Sequence, residues 1–226
     1  MKRSVIPEFL DTDSGTPAEI ETILADLRMV NRWFGGAGTM CELVRLVARR
    51  TGKRELSLLD VGGASGDIPV RVTRQLEREG VRVSFVVLDR SAVHLNGTRR
   101  AVAGDALALP FGDCSFDLVG SSTFVHHLEP GELVRFINDS LRVARVAALV
   151  NDLRRSPAHL ALSYAGFALY RGRITRHDAP ASVRRAYTPG ELRELLETTR
   201  AAAVEVGNHY LCRMGAIAWR EPRHLT

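Results

Sequence analysis

Ser57-Leu58-Leu59-Asp60-Val61-Gly62-Gly63-Ala64-Ser65-Gly66-Asp67 decides the fold, because an apolar strand runs into an acid and then into a glycine-rich turn that opens a helix. Glycine is needed where the backbone turns sharply and approaches a ligand with no Cβ in the way, and the helix that follows offers free N–H groups. Two ligand classes compete for such a loop. A dinucleotide fingerprint has glycines at relative positions one, three and six, which here fall on Gly62, Ala64 and Asp67, so its last position fails. Asp67 at the helix start would also repel a pyrophosphate, since both would compete for the same positive helix end. A cationic amino-acid ligand meets no such objection. Asp60 ends the buried run, where an ionised carboxylate is costly unless paired, with loop amides or, through water, a ligand ammonium as its partner.

The chain has 226 residues, 45% of them hydrophobic, enough for one α/β domain with an appendage. No run of 18 or more apolar residues exists, and the N-terminus turns acidic at Glu8 before an apolar signal core can form, so a cytoplasmic protein without a membrane span is expected. Cys41, Cys114 and Cys212 are scattered, which predicts free thiols and no metal site. The net charge of +5 comes almost wholly from arginines in isolated pairs such as Arg49-Arg50 and Arg99-Arg100. They form no stripe interleaved with aromatics, so nucleic acid is disfavoured as a partner. The chain is expected as a monomer or homodimer.

Thr16-Pro17-Ala18-Glu19 is a capping box with proline at the first helical position; the helix it opens carries Ile20, Ile23, Leu24, Leu27 and Val30 to about Phe34. Gly35-Gly36-Ala37-Gly38 breaks it, and a second helix runs toward Arg50. Strands are predicted at 56–61, 83–88, 100–102, 116–120, 144–150, 203–206 and 213–219, with helices at 68–78, 92–96, 130–141 and, from the box at Thr188, to about Thr199. This alternation implies a mostly parallel seven-stranded sheet covered on both faces, its last strand antiparallel. Residues 1–52 are read as a helical lid, 53–226 as the ligand-binding domain, and 153–187 as an insertion on the acceptor side.

Asp89 ends the run Val83–Leu88 about two dozen residues past the glycines, the position at which an acid accepts both hydroxyls of a ribose. It serves a dinucleotide equally well. Gly104-Asp105-Ala106 follows in register, and Phe116–Gly120 leads through Ser121-Ser122 to His126-His127-Leu128. The series Asp60-x-Gly62-x-Ala64-x-Gly66, Asp89 and Gly104-Asp105 resembles the class I S-adenosylmethionine-dependent methyltransferases, with Ala64 in place of the middle glycine. The resemblance covers about residues 40 to 150 and implies the Rossmann-like methyltransferase fold and S-adenosylmethionine as cofactor. It places Asp60, Gly62, Gly63, Ala64, Gly66 and Asp67 in the methionine loop and Asp89 on the ribose. Arg90, Gly104, Asp105 and Ala106 fall on the adenine side, with Ser121 and Ser122 beside the methionine. Arg32, in Asn31-Arg32-Trp33-Phe34, is read as the cation for the methionine carboxylate.

Looser likeness extends over most of the chain. Asn31–Gly36 and Asn151–Ser156 resemble small methyltransferases associated with type III polyketide synthases; Ser182-Val183-Arg184-Arg185-x-Tyr187 resembles a stretch of quinone-biosynthesis methyltransferases. Both imply a small phenolic, quinol or polyketide acceptor methylated at oxygen or carbon. Ligands of an open parallel sheet bind outside the carboxyl ends of its strands. There, Asn151-Asp152, the apolar helix 160–170 with Tyr164, and the polar connection 173–187 are expected to build the acceptor pocket. The candidate bases are His127 and His177, supported by Asp152 and Arg185, with His126, Tyr164, Asp178 and Tyr187 as substrate contacts. An RNA methyltransferase, a non-catalytic nucleoside-binding scaffold and a dehydrogenase remain as alternatives.

Overall fold

Strands that are apolar on both sides need cover on both faces, and each central strand here alternates between two cores. The computed structural model describes residues 1–12, 15–92, 94–95 and 100–221. Its strands are β1 (Glu55–Val61), β2 (Arg82–Asp89), β3 (Ala101–Ala103), β4 (Phe116–Ser122), β5 (Ala144–Leu153), β6 (Ala203–His209) and β7 (Arg213–Trp219). Its helices are α1 (Pro17–Trp33), α2 (Gly36–Thr51), α3 (Asp67–Glu77), α4 (Pro130–Val143), α5 (Pro157–Ala165), α6 (Arg173–Arg185) and α7 (Pro189–Glu197).

The seven strands form one sheet in the order β3-β2-β1-β4-β5-β7-β6. β1 to β5 pair in parallel, and β7 runs antiparallel to both β5 and β6. Leu59, Val61 and Val119 pack toward α4 and α7 with Phe136, Ile137 and Leu196. Leu58 and Leu118, one residue out of phase, pack toward α2 and α3 with Met40, Val44, Val72 and Trp219. Strand order reverses between β1 and β4, so the loops after them diverge and leave a crevice at their carboxyl ends.

Four expectations need correction. Residues 173–187, read as a connection, contain α6; Pro180 and a polar composition hide the helix, which forms because Ile174, Asp178, Ala181, Ser182 and Val183 are buried against neighbours. The helix read as 160–170 starts earlier and ends sooner. Ser156 caps it with Pro157 at the first position, and after Ala165 the chain tightens into a 3₁₀ turn at Gly166–Ala168. Of the segment read as a lid, α2 belongs to the core, since Met40, Val44 and Val47 are fully buried beneath the sheet. The helix read at 92–96 falls partly outside the described residues; Ala92, His94 and Leu95 form a turn.

α1, by contrast, is tied to the start of α6 by a buried side chain, beside the surface pair Glu19–Arg173. Asp26 is buried and accepts from the N–H groups of Arg171 (3.0 Å) and Gly172 (3.1 Å) and from the Thr175 hydroxyl (2.7 Å). Asp26→Ala leaves these donors without their acceptor, and a loss of about 2–4 kcal/mol in denaturant unfolding is expected. A change below about 0.5 kcal/mol, the scale of an ordinary surface substitution, would contradict this role.

Candidate active site

A cavity of about 770 Å³ occupies the crevice at the carboxyl ends of β1, β2 and β4. Asp60 reaches it from the end of β1. It is 1% exposed, and neither carboxylate oxygen has a hydrogen-bond partner among the described residues. Burial, with the Asp67 and Asp89 carboxylates nearby, pushes Asp60 up to about 8. The loop is shaped around it: a Cβ on Gly63 would lie 2.4 Å from Asp60 Oδ2. Ala64 takes the left-handed conformation (φ 43°) that a glycine would adopt without strain.

Ala64 then donates its N–H to Asp89 Oδ2 at 3.0 Å, while Asp89 Oδ1 accepts from Ser91 N–H at 3.0 Å and lies 3.4 Å from His94 Nδ1. Burial works to raise the Asp89 carboxyl, but the His94 ring and the two amides outweigh it and hold it below the ordinary range. Gly104 N–H donates to the Asp89 carbonyl (3.0 Å), which brings Asp105 and Ala106 to the same wall; Asp105 Oδ1 takes the Leu107 N–H (2.8 Å). Arg90 lines this end and donates to the Asp11 carbonyl.

Asp67, at the first position of α3, accepts from Asn31 Nδ2 at 3.4 Å. The same asparagine accepts from Arg213 Nη2 (3.2 Å), and Arg213 Nη1 donates to Thr123 Oγ1 (2.6 Å). Arg213 is 1% exposed, and burial lowers it against the opposing pull of Asp152, Cys212 and Asp67. It lines the cavity. Arg32, read as the cation of this corner, is instead exposed beside Trp33, its guanidinium 5.2 Å from the ring centroid. Ser122 faces the cavity and accepts from Asn151 Nδ2 (3.0 Å), whereas Ser121, one residue earlier on the strand, is buried and does not line it. Gly66 caps α3 in the left-handed region without reaching the wall.

The other end of the cavity is built on the loop after β4. Asp152, wholly buried, accepts the N–H groups of Phe124 (3.2 Å), His126 (3.0 Å) and Leu153 (2.6 Å), and lies 2.7 Å from His126 Nδ1. Burial alone would raise it; the His126 ring, the Leu153 N–H and Arg213 prevail and hold it low. His127 Nδ1 is 2.8 Å from Asp11 Oδ1, and Arg185 Nη1 reaches Asp11 Oδ2 at 2.8 Å while Nη2 donates to the His127 carbonyl at 2.6 Å. Despite burial, these partners bring Asp11 down to about 2. A carboxylate at 2.8 Å calls for a proton on Nδ1, and in the neutral ring that tautomer leaves Nε2 with a lone pair.

Three expected contacts lie elsewhere. His177 stacks on Phe9 with centroids 4.1 Å apart and does not line the cavity. Tyr187 is core, its hydroxyl donating to the Leu128 carbonyl at 2.7 Å, and burial pushes it up to about 12. Tyr164 is exposed and accepts from Arg184 Nη2 at 2.8 Å. Asp178 does line the cavity, but its oxygens cap Phe9 N–H (3.0 Å) and Leu10 N–H (3.1 Å) and so moor the N-terminal segment. That segment supplies Glu8 and Asp11, which sequence reading missed because nothing local marks them. Arg213 did carry a signal, as the lone charge opening the otherwise apolar run Arg213–Trp219.

Comparison with known proteins matches a methyltransferase-domain family model to residues 59–149. The demethylmenaquinone methyltransferase of Roseiflexus sp. (strain RS-1) is 33% identical over 176 residues, 71% of this chain and 72% of that protein. The chain belongs to the class I S-adenosylmethionine-dependent methyltransferases. Solved structures agree in fold: the plantazolicin methyltransferase BamL, with bound S-adenosylhomocysteine (SAH), superposes with a TM-score of 0.67 at 12% identity over 87% of this chain and 90% of that one. A SAM-dependent methyltransferase from Aquifex aeolicus superposes with a TM-score of 0.57 at 15% identity, over 92% of this chain and 100% of that one.

The cofactor of this methyltransferase is S-adenosylmethionine, and the unpartnered Asp60 carboxylate beside Asp67 fits its ammonium group. Because folding raises Asp60 from 3.8 to about 8, the folded ligand-free protein holds a proton that the unfolded chain has lost. Its contribution to stability is therefore full below about pH 4 and is lost as pH rises toward 8, at about 1.4 kcal/mol per pH unit. Denaturation of Asp60→Asn should lack this slope. An ammonium beside the carboxylate favours its charged form, so SAH binding at pH 7 should release a proton, read by calorimetry in buffers of different ionisation enthalpy; equal heats would contradict it. Asp89→Ala is expected to raise the SAH dissociation constant at least about tenfold, the loss of charge-assisted bonds. An unchanged constant would remove Asp89 from the site.

Proposed function

We propose that this methyltransferase acts on a small, largely apolar phenolic or quinol acceptor, at oxygen or at a ring carbon activated by that oxygen, with His127 as the proton acceptor. The Asp11–His127 contact of 2.8 Å carries this reading, because it orients the ring and leaves Nε2 free at the wall of the cavity. The walls at this end include Leu24, Leu27, Leu162 and Leu169, which suit an aromatic or polyketide-derived body. The demethylmenaquinone methyltransferase relative supports a quinone-type acceptor.

In the cofactor end, Asp60 would take the methionine ammonium directly or through water, with Asp67 adding negative potential. Arg213 takes the carboxylate in place of Arg32. Asp89 receives the ribose hydroxyls, and Asp105 and the Ala106 N–H meet the adenine edge with Arg90 beside it. The bound cofactor supplies an electrophilic methyl group on sulfur. The protein therefore has to align the acceptor, exclude water and take one proton. That proton passes from the acceptor hydroxyl to His127 Nε2; Asp11 stabilises the imidazolium, and Arg185 keeps Asp11 in place.

A positioned base contributes about 10²–10⁴-fold. His127→Ala is expected to lose at least about 10²-fold in kcat with a panel of phenols and quinols, with SAH affinity within about twofold of wild type and partial rescue by added imidazole. His177→Ala should stay within about threefold of wild type, since that ring lies outside the cavity. A fully active His127→Ala would refute the base.

A further inference from the structure

We propose that Glu8, His126 and His127 form a binding site for one divalent transition-metal ion of the Zn²⁺ type in the wall of the cavity, with the ion's remaining position open to the acceptor. The starting point is two buried atoms that face each other without partners among the described residues. Glu8 Oε1 and His126 Nε2 are 3.7 Å apart, on side chains 6% and 1% exposed. Asp152 lies 2.7 Å from His126 Nδ1 and fixes the ring proton there, so Nε2 presents a lone pair. The Ser182 hydroxyl donates to Glu8 Oε2 at 2.7 Å, which aims Oε1 at the ring. An ionised Glu8 would face that lone pair with its own, an arrangement relieved by a proton on Glu8, which burial pushes up to about 7, or by a cation between the two atoms.

A third donor is at hand. His127 Nδ1 is 3.9 Å from Glu8 Oε1, and one ligand atom from each of the three residues lies within 4.8 Å of the others. Tetrahedral Zn²⁺ with bonds of about 2.0–2.1 Å separates its ligand atoms by about 3.4 Å, so the two contacts to Glu8, at 3.7 and 3.9 Å, need to close by a few tenths of an ångström and the two rings, whose ligand atoms lie within 4.8 Å, by up to about 1.4 Å. Two imidazoles and one carboxylate are the donor chemistry of zinc, cobalt or copper rather than of magnesium or calcium. The Asp152–His126 pair is the carboxylate–histidine arrangement that commonly supports a ligating imidazole. The carboxylates of Glu8, Asp11 and Asp152 converge on the two rings, with the guanidinium of Arg185 on Asp11 and that of Arg213 acting on Asp152 as opposing charges.

Ligation draws His127 Nδ1 from Asp11, which stays held by Arg185, and requires the other ring tautomer, the proton leaving Nδ1 while Nε2 takes one up from solvent. The ion and the base use of His127 therefore alternate at one ring. With the ion bound, an acceptor hydroxyl would be polarised by the ion instead of deprotonated by Nε2. This inference does not rest on turnover, so its failure leaves the proposed function standing.

Chelator-treated full-length protein titrated with ZnCl₂ by calorimetry should bind one equivalent at micromolar or tighter affinity. Glu8→Gln and His126→Gln should each weaken it at least about tenfold while SAH still binds. No binding at Zn²⁺ up to about 100 µM, or binding undiminished in both variants, would overturn the proposal. Should a variant fail to bind SAH and so prove misfolded, the wild-type protein decides: the ring nitrogens of His126 and His127 must both shift in NMR spectra at one equivalent of Zn²⁺. Unshifted rings overturn the site.

Discussion

A carboxylate buried without a partner sets the terms for the cofactor end of this protein. Asp60 lies at the carboxyl end of β1, beside the point where strand order reverses, 1% exposed and unbonded among the described residues. An isolated ionised carboxylate in such a place is costly, and burial shifts the group toward its protonated form. A loop built this way would favour a ligand that brings positive charge. It explains why an acid at the first position of α3, which would expel a pyrophosphate, is compatible with this ligand. Gly63 leaves the space that Asp60 Oδ2 occupies, and the Ala64 N–H locks the loop to Asp89, so both acids are placed by one short turn.

The acceptor end depends on a different constraint, the mooring of the N-terminal segment. Ser4 N–H donates to the Arg184 carbonyl (3.0 Å), Arg3 Nε to the Arg185 carbonyl (2.8 Å), and Asp178 receives the amides of Phe9 and Leu10. These contacts carry Glu8 and Asp11 across the cavity to the histidines after β4. Without them His127 would lack the carboxylate that sets its tautomer. Asp178, expected to touch substrate, lines the cavity and also holds the segment that orients the ring.

How much of this was legible in the sequence follows from what is local. All seven strands lie where apolar runs and turn residues place them, and the capping boxes at Thr16 and Thr188 open helices because each satisfies its own orphan N–H groups. That Asp60, Asp89 and Asp105 meet at one cavity wall was legible because each lies at or just past the carboxyl end of a strand on the same sheet edge. α6 was not, since its helicity comes from burial against neighbours that outweighs Pro180. The same holds for side-chain direction: Ser121 and Ser122 read alike, yet the strand's alternation turns only Ser122 to the cavity. Arg32 and Arg213 divide similarly, because which arginine reaches the loop depends on β7 lying beside β5, a pairing between distant segments.

A crystal structure of the protein with SAH tests this most directly. The account predicts the amine of the ligand within hydrogen-bond reach of Asp60, directly or through one water, its carboxylate against Arg213 and its ribose hydroxyls on Asp89. A ligand seated with its amine away from Asp60, leaving that carboxylate unpartnered, would contradict the claim that this buried charge is what the cofactor is bound by.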